Sequence, residues 1–214
     1  MIHRRMLGRL LAAAAALAAD PVDALIRSIR IPPRPSLLVS MQLELNAPEP
    51  SQTAIARIIS SDVAMSASLL KLANSSMYGR RTIKSIEQAL AFLGLNQVAS
   101  LMTGLLARQA IAPSHASLAS FWEVSTRRAQ AMVYLSRKLH VVPSDIAHTF
   151  GLFCDTGIPL MMERFPDYAY TLEAAAHAKS VFTGVEDLKH VTNHAAIGSL
   201  LARTWGLPTD VSWS

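Results

Sequence analysis

The chain has 214 residues, 51% of them hydrophobic and 16% charged, with 20 Lys and Arg against 15 Asp and Glu for a net charge of +5. This length fits one medium domain with an extension, and this composition excludes an intrinsically disordered chain. A single cysteine, Cys154, excludes an internal disulfide and fits a reducing compartment, so a cytoplasmic location is expected.

The first segment, "HRRMLGRLLAAAAALAAD", has a basic start, an apolar centre and small residues near its end. Two readings match these letters, a secretory signal and a plain helix ending near Asp20 and Pro21; the alanine content favours the helix. The apolar part, Leu10 to Ala19, is too short to span a bilayer, and no other segment is a candidate, so no membrane partner is expected. "DPVDALIRSI" reads as a short amphipathic helix and "RIPPRPS" as an extended proline linker. Residues 1–30 are therefore expected to form a helical extension, and residues 31–214 the main domain.

From there the periodicity predicts helices almost throughout. Ile55, Ile58 and Ile59 share a face; Asp62 is placed to cap a helix carrying Met65, Leu69, Leu72 and Ala73. Asn74, Ser75 and Gly79 are expected to end it, because Asn tolerates the left-handed conformation, Ser bonds local carbonyls and Gly allows positive φ. "SIEQ" at 85–88 has the form of a capping box, followed by Ile86, Ala89, Leu90 and Leu93 on one stripe. Gly94 is a helix stop and Asn96 a restart, with Val98, Leu101, Met102, Leu105 and Leu106 on the next stripe. This helix–turn–helix could mimic a DNA-reading motif, yet its second helix offers an apolar face with no cluster of base-reading side chains. Nucleic acid is therefore not the expected partner.

"IAPSHASLAS" breaks the chain before a long helix from about Phe121 to His140. Pro143 and Ser144 separate it from a helix beginning near Asp145. Further helices are expected over Tyr168 to Ala178 and from about Asp187 to Trp205, the last ended by Gly206 and Pro208. Trp122 and Trp205 read as apolar plugs at helix crossings, each with one donor to place. No strand alternation and no solenoid period occurs. The fold class predicted is all-α.

Three sites carry candidate chemistry. The acid-free stretch with Lys71, Arg80, Arg81 and Lys84 could attract an anionic partner, although a solvated basic face is the commoner outcome. "FGLFCDTG", residues 150–157, drops one carboxylate, Asp155, into an apolar run beside Cys154, where it needs a partner. In the plain reading, Cys154 packs as a small hydrophobe while Asp155 caps a helix or accepts backbone hydrogen bonds. "HVTNH" puts His190 and His194 at i and i+4 on one predicted helix, a zinc-compatible register that two ligands alone do not make into a site.

Several segments are more particular than amphipathic pattern requires. "LANSSMYG", "AFLGLNQV", "FWEVS", "FGLFCDTG" and "NHAAIGSLLARTWGLP", in this order over residues 31–214, resemble the HDOD domain, a relative of the HD metal-dependent phosphohydrolases. The resemblance implies an HD-like multi-helix bundle in which Asn74, Ser75, Gly79, Gly94, Trp122, Gly151, Gly157, Trp205 and Pro208 are motif positions with structural roles. It also implies that a further helix follows Ser214 in relatives, with a homodimer through the uncovered flank of the last helix as a hypothesis.

HD enzymes bind metal through a His-Asp pair and ligands from other helices. Against that pattern Cys154 stands for the histidine of the pair, Val124 falls where the preceding helix carries a histidine, and Asp155 and His194 are retained. The resemblance thus implies a degenerate metal site, no metal or other cofactor, no catalysis, and a role in bacterial signal transduction as a scaffold for signalling proteins, in cyclic-di-nucleotide or motility networks. The alternative is a degenerate but working phosphohydrolase, with a thiolate serving a soft metal.

Overall fold

The computed structural model describes residue 25 and residues 28–75, 82–111 and 118–212; the leader segment, Gly79, Arg80 and Arg81 lie outside the described residues. Those described are helical with no strand: α1 Ser36–Leu45, α2 Gln52–Ser60, α3 Val63–Ala73, α4 Ile86–Leu93, α5 Leu95–Ala110, α6 Leu118–Leu139, α7 Ser144–Phe153, α8 Gly157–Arg164, α9 Tyr168–His177, α10 Phe182–His190, α11 His194–Thr204, and a final turn at Thr209–Ser212. The bundle is all-α, as the periodicity predicts. No single described helix is long and apolar enough to cross a membrane.

Side-chain caps account for four of the helix starts among the described residues. Ser51 Oγ accepts from the Ala54 N–H at 3.3 Å, and Asp62 Oδ1 accepts from the Met65 N–H at 2.9 Å. Ser85 Oγ accepts from the Gln88 N–H at 3.2 Å, while Gln88 Oε1 reaches back to the Lys84 N–H at 2.8 Å. The capping box therefore closes one residue earlier than its usual form. Gly94, at φ +84°, ends α4 and itself begins α5. Asn96 is not the restart expected of it; the helix resumes at Leu95, because a glycine at positive φ turns the chain without spending another residue. Asn74 also works differently from expectation. Its φ of −87° is not left-handed. Its side chain instead donates to the Leu70 and Ile83 carbonyls at 2.8 Å each and accepts from the Ile83 N–H at 2.7 Å. One amide pins the end of α3 to the chain entering α4.

The predicted stripes become the core. Ile55, Ile59, Met65, Leu69, Ala73, Leu90, Val98, Leu101 and Met102 are all buried. The apolar face of α5 is thus interior, as its composition indicated. Helix α6 begins three residues before the predicted start and packs along α7, which lies against α5 on its other side. At that crossing a Cβ on Gly151 would come within 2.9 Å of Ala129 Cα, so only glycine permits the approach.

The extended stretch before α1 is tied to the far end of the chain. Trp205, fully buried, donates from Nε1 to the Pro32 carbonyl at 3.0 Å, and Gln42 Nε2 donates to the Trp205 carbonyl at 3.3 Å. Trp205 also meets Phe153 edge-on, with ring centroids 6.1 Å apart. Trp122 is likewise buried.

The largest departure lies in the last predicted helix. It is two helices, α10 and α11, broken at Val191, which adopts a left-handed φ of 60°. Asn193 restarts the chain by accepting from the Ala196 N–H at 2.9 Å. His190 and His194 therefore do not share a helix face, and the metal-like register is not realised. His190 Nε2 lies 2.9 Å from Thr171 Oγ1, with its ring between Phe165 and Tyr168. His194 turns to a different set of groups.

Candidate functional site

Helix α7 runs out at Phe153, and the turn that follows presents Cys154 and Asp155 toward α6. The carboxylate finds a partner there: Arg128 Nη2 lies 2.6 Å from Asp155 Oδ2, and Arg128 Nη1 donates to Cys154 Sγ at 2.7 Å. One guanidinium thus grips both Cys154 and Asp155. Asp155 neither caps a helix nor accepts a backbone hydrogen bond among the described residues, which corrects the plain reading. Cys154, half-buried, is engaged by a cation and is not simply packed in hydrocarbon.

The other side of Asp155 faces His194, whose Nε2 stands 3.7 Å from Oδ1. His194 Nδ1 is 2.7 Å from Glu186 Oε2, and because an ionised carboxylate only accepts, this nitrogen carries the proton. The same Glu186 oxygen accepts from the His194 backbone N–H at 3.2 Å, while its Oε1 accepts from the Tyr168 hydroxyl. Glu186 is fully buried. Burial alone would raise its pKa, but hydrogen bonds from His194 and Tyr168 and the charge of His194 outweigh that and hold it below the usual range.

Neighbouring groups shift in step. Burial chiefly, with the Glu186 hydrogen bond added, raises the Tyr168 hydroxyl far above its ordinary value. The Cys154 thiol is pushed up, first by burial and then by the Asp155 charge, and Arg128 only partly opposes this. Cys154 is therefore a thiol at neutral pH while Arg128 and Asp155 are its neighbours.

Gly157 allows this geometry. A Cβ there would run into the His194 carbonyl oxygen, so α8 and α11 can approach only without a side chain at that point. Val124 lies one turn before Arg128 on α6, is 54% exposed and has no lone pair.

The donors fail the test for the metal that the HD relationship implies. Among the described residues, no three His, Cys, Asp or Glu side chains converge as an ion would require. The direction in which His194 points is nonetheless that of a ligand histidine, with Nδ1–H on a buried carboxylate and Nε2 toward the shared acid. What meets that acid is the positive charge of Arg128. Sequence reasoning missed Arg128, Glu186 and Tyr168. The available signal was that Arg128 stands at i+4 from Val124, on the same face of α6.

Of the motif glycines and tryptophans, Gly157 borders this cluster, and the others are dispersed through the bundle. Asn74 and Ser75 sit at the end of α3, Gly94 between α4 and α5, and Pro208 before the final turn. Of the proposed basic surface, Lys71 and Lys84 are exposed; Arg80 and Arg81 lie outside the described residues.

A helical bundle with a His-Asp type cluster at the end of one helix defines an HD-related domain. The chain matches the HDOD domain family over residues 31–213 and belongs to that family. It is 24% identical to a candidate phosphohydrolase from Shewanella amazonensis SB2B, with a TM-score of 0.73 over 88% of this chain and 69% of that one. It is 22% identical to an HDOD domain protein of unknown function from Geobacter sulfurreducens, with a TM-score of 0.69 over 88% and 66% of the two chains. A curated relative, an uncharacterized protein of Treponema pallidum (strain Nichols), is 26% identical over 92% of this chain. The chain spans 38% of that relative's length.

Proposed function

We propose that this HDOD domain is a non-catalytic regulatory module that acts in bacterial signal transduction by binding protein partners, within cyclic-di-nucleotide or motility networks. The observation that carries this reading is the Arg128 guanidinium on Cys154 and Asp155. A paired-metal hydrolase must place several oxygen and nitrogen donors around its ions and leave a position for water. In this chain the retained acid is neutralised by a side chain, one histidine position is valine and the other is a cysteine held as thiol. Candidate partner surfaces are the face around Cys154, Asp155 and His194 and the edge bearing Lys71 and Lys84. A structural neighbour from Marinobacter aquaeolei VT8, a candidate signal transduction protein, points the same way.

The experiment pairs metal analysis and nucleotide phosphodiesterase assays with affinity capture from the host lysate. Expected are substoichiometric metal, no turnover, a melting temperature unmoved by chelator, and reproducible capture of a signalling protein. Stoichiometric metal together with turnover that Asp155→Ala abolishes would establish the phosphohydrolase reading in its place.

A further inference from the structure

Away from the Arg128 cluster, a cleft of about 140 Å³ opens between α3, α5, α6 and α7. Its size is close to that of an engineered apolar cavity of roughly 150 Å³ that takes up benzene. Leu105, Leu152 and the indole of Trp122 supply a largely hydrocarbon wall, interrupted by Arg108, Gln130 and His148. Helix α6 separates the two regions, since Trp122 and Gln130 face the cleft while Arg128 turns to Asp155.

His148 is 6% exposed and tied from behind: its Nδ1 is 2.8 Å from Ser100 Oγ. Ser100 Oγ also lies 2.7 Å from Thr149 Oγ1 and 3.0 Å from the Asp145 carbonyl, and Thr149 Oγ1 is 2.9 Å from that carbonyl. Two hydroxyl protons cannot serve all these contacts, so Nδ1–H is the tautomer that satisfies most of them. Nε2 is then a free lone pair on a side chain that lines the cleft, with no hydrogen-bond partner among the described residues. An acceptor that lines a cleft is placed to receive a hydrogen bond from a ligand donor. Arg108 is exposed at the rim, and neither its guanidinium nor the Gln130 amide has a hydrogen-bond or ionic partner among the described residues.

We propose that this cleft is a binding site for a small hydroxyaromatic carboxylate: the ring lies against Trp122 and the leucines, the hydroxyl donates to His148 Nε2, and the carboxylate meets Arg108. Such a site gives the module a small-molecule input, separate from its protein partners and from the degenerate cluster, and its binding can be measured without any partner.

The test is calorimetric titration of the purified protein with 4-hydroxybenzoate, beside benzoate, which lacks the donor, and 4-hydroxybenzyl alcohol, which lacks the charge. Saturable binding of 4-hydroxybenzoate is expected, with affinity at least tenfold weaker for each comparison compound and for Arg108→Gln, a surface change that leaves the fold intact. Leu105→Phe, which fills the half-buried wall, should abolish it. No binding at about 5 mM probe, which is weaker than roughly 3 kcal/mol of standard affinity, overturns the proposal. Equal affinity in Arg108→Gln and wild type overturns it as well.

Discussion

Arg128 and Asp155 meet at 2.6 Å across the α6–α7 crossing, with side chains 33% and 28% exposed. The pair is neither a surface ion pair, which contributes little, nor a fully buried one, whose halves are ruinous alone. Arg128→Met and Asp155→Asn should each destabilise by about 1–2 kcal/mol, with a coupling energy of about 1 kcal/mol in a double-mutant cycle. Urea unfolding measures both. The coupling should shrink at about 1 M salt, where screening reaches partly exposed charges.

Two groups make stability depend on pH in acid. Burial lowers the His148 pKa to about 4 from 6.5. A base with a depressed folded pKa stabilises the fold fully above its unfolded value, and that stability is lost as pH falls from 6.5 toward 4. The loss is on the order of 3 kcal/mol at 1.36 kcal/mol per unit. Glu186, also depressed, adds a loss below about 4.5, its ordinary value. Thermal melts from pH 7 to 4 should show the decline, and His148→Gln should flatten the part between 6.5 and 4.

Glu186 is the hub for Tyr168 and for two N–H groups of His194. Glu186→Gln keeps the volume and can set its oxygen on the His194 N–H groups and its NH2 on the Tyr168 hydroxyl oxygen, but it trades charge-assisted hydrogen bonds for weaker neutral ones. A loss of about 2–3 kcal/mol is expected. The measurement is again urea unfolding, with NMR showing the largest shifts on α9 and α11.

Gly157→Ala is predicted to be the most damaging single change among these. The added methyl meets backbone at His194, which cannot rotate away as a side chain would. Overpacking costs about 1–3 kcal/mol and more when backbone must move. The melting temperature should fall sharply while helicity by circular dichroism persists in what remains folded.

Cys154 should alkylate more slowly at pH 8 than free cysteine, because burial and the Asp155 charge raise its pKa. Asp155→Asn removes one of those contributions and frees Arg128 for the thiolate, so iodoacetamide should then react faster.

Elements encoded by neighbouring residues were legible. The Asp62 and Ser85 caps, the α2–α5 stripes and the proline-rich stretch all follow from contacts within a few positions. The break at Val191 was not, because "HVTNH" holds neither glycine nor proline and a β-branched residue rarely takes positive φ. The Asn193 cap was its one readable sign. Asp155 was recognisable as needing a partner, but Arg128 lies 27 positions away in a helix whose charged residues all read as surface. A search for electron-pair donors also passes over a cation by design. Glu186 sits in "VEDLKH" beside Asp187, and nothing in that spelling tells the buried acid from the exposed one. Burial comes only with the α9–α10 packing.

A guanidinium built into the polypeptide cannot be chelated, exchanged or starved. Its supply is fixed at one per chain when the ribosome finishes α6, whatever the cell's trace-element status. Val124→His and Cys154→His would therefore leave a competitor already seated on Asp155, and any ion offered to this end of the bundle has to begin by evicting Arg128.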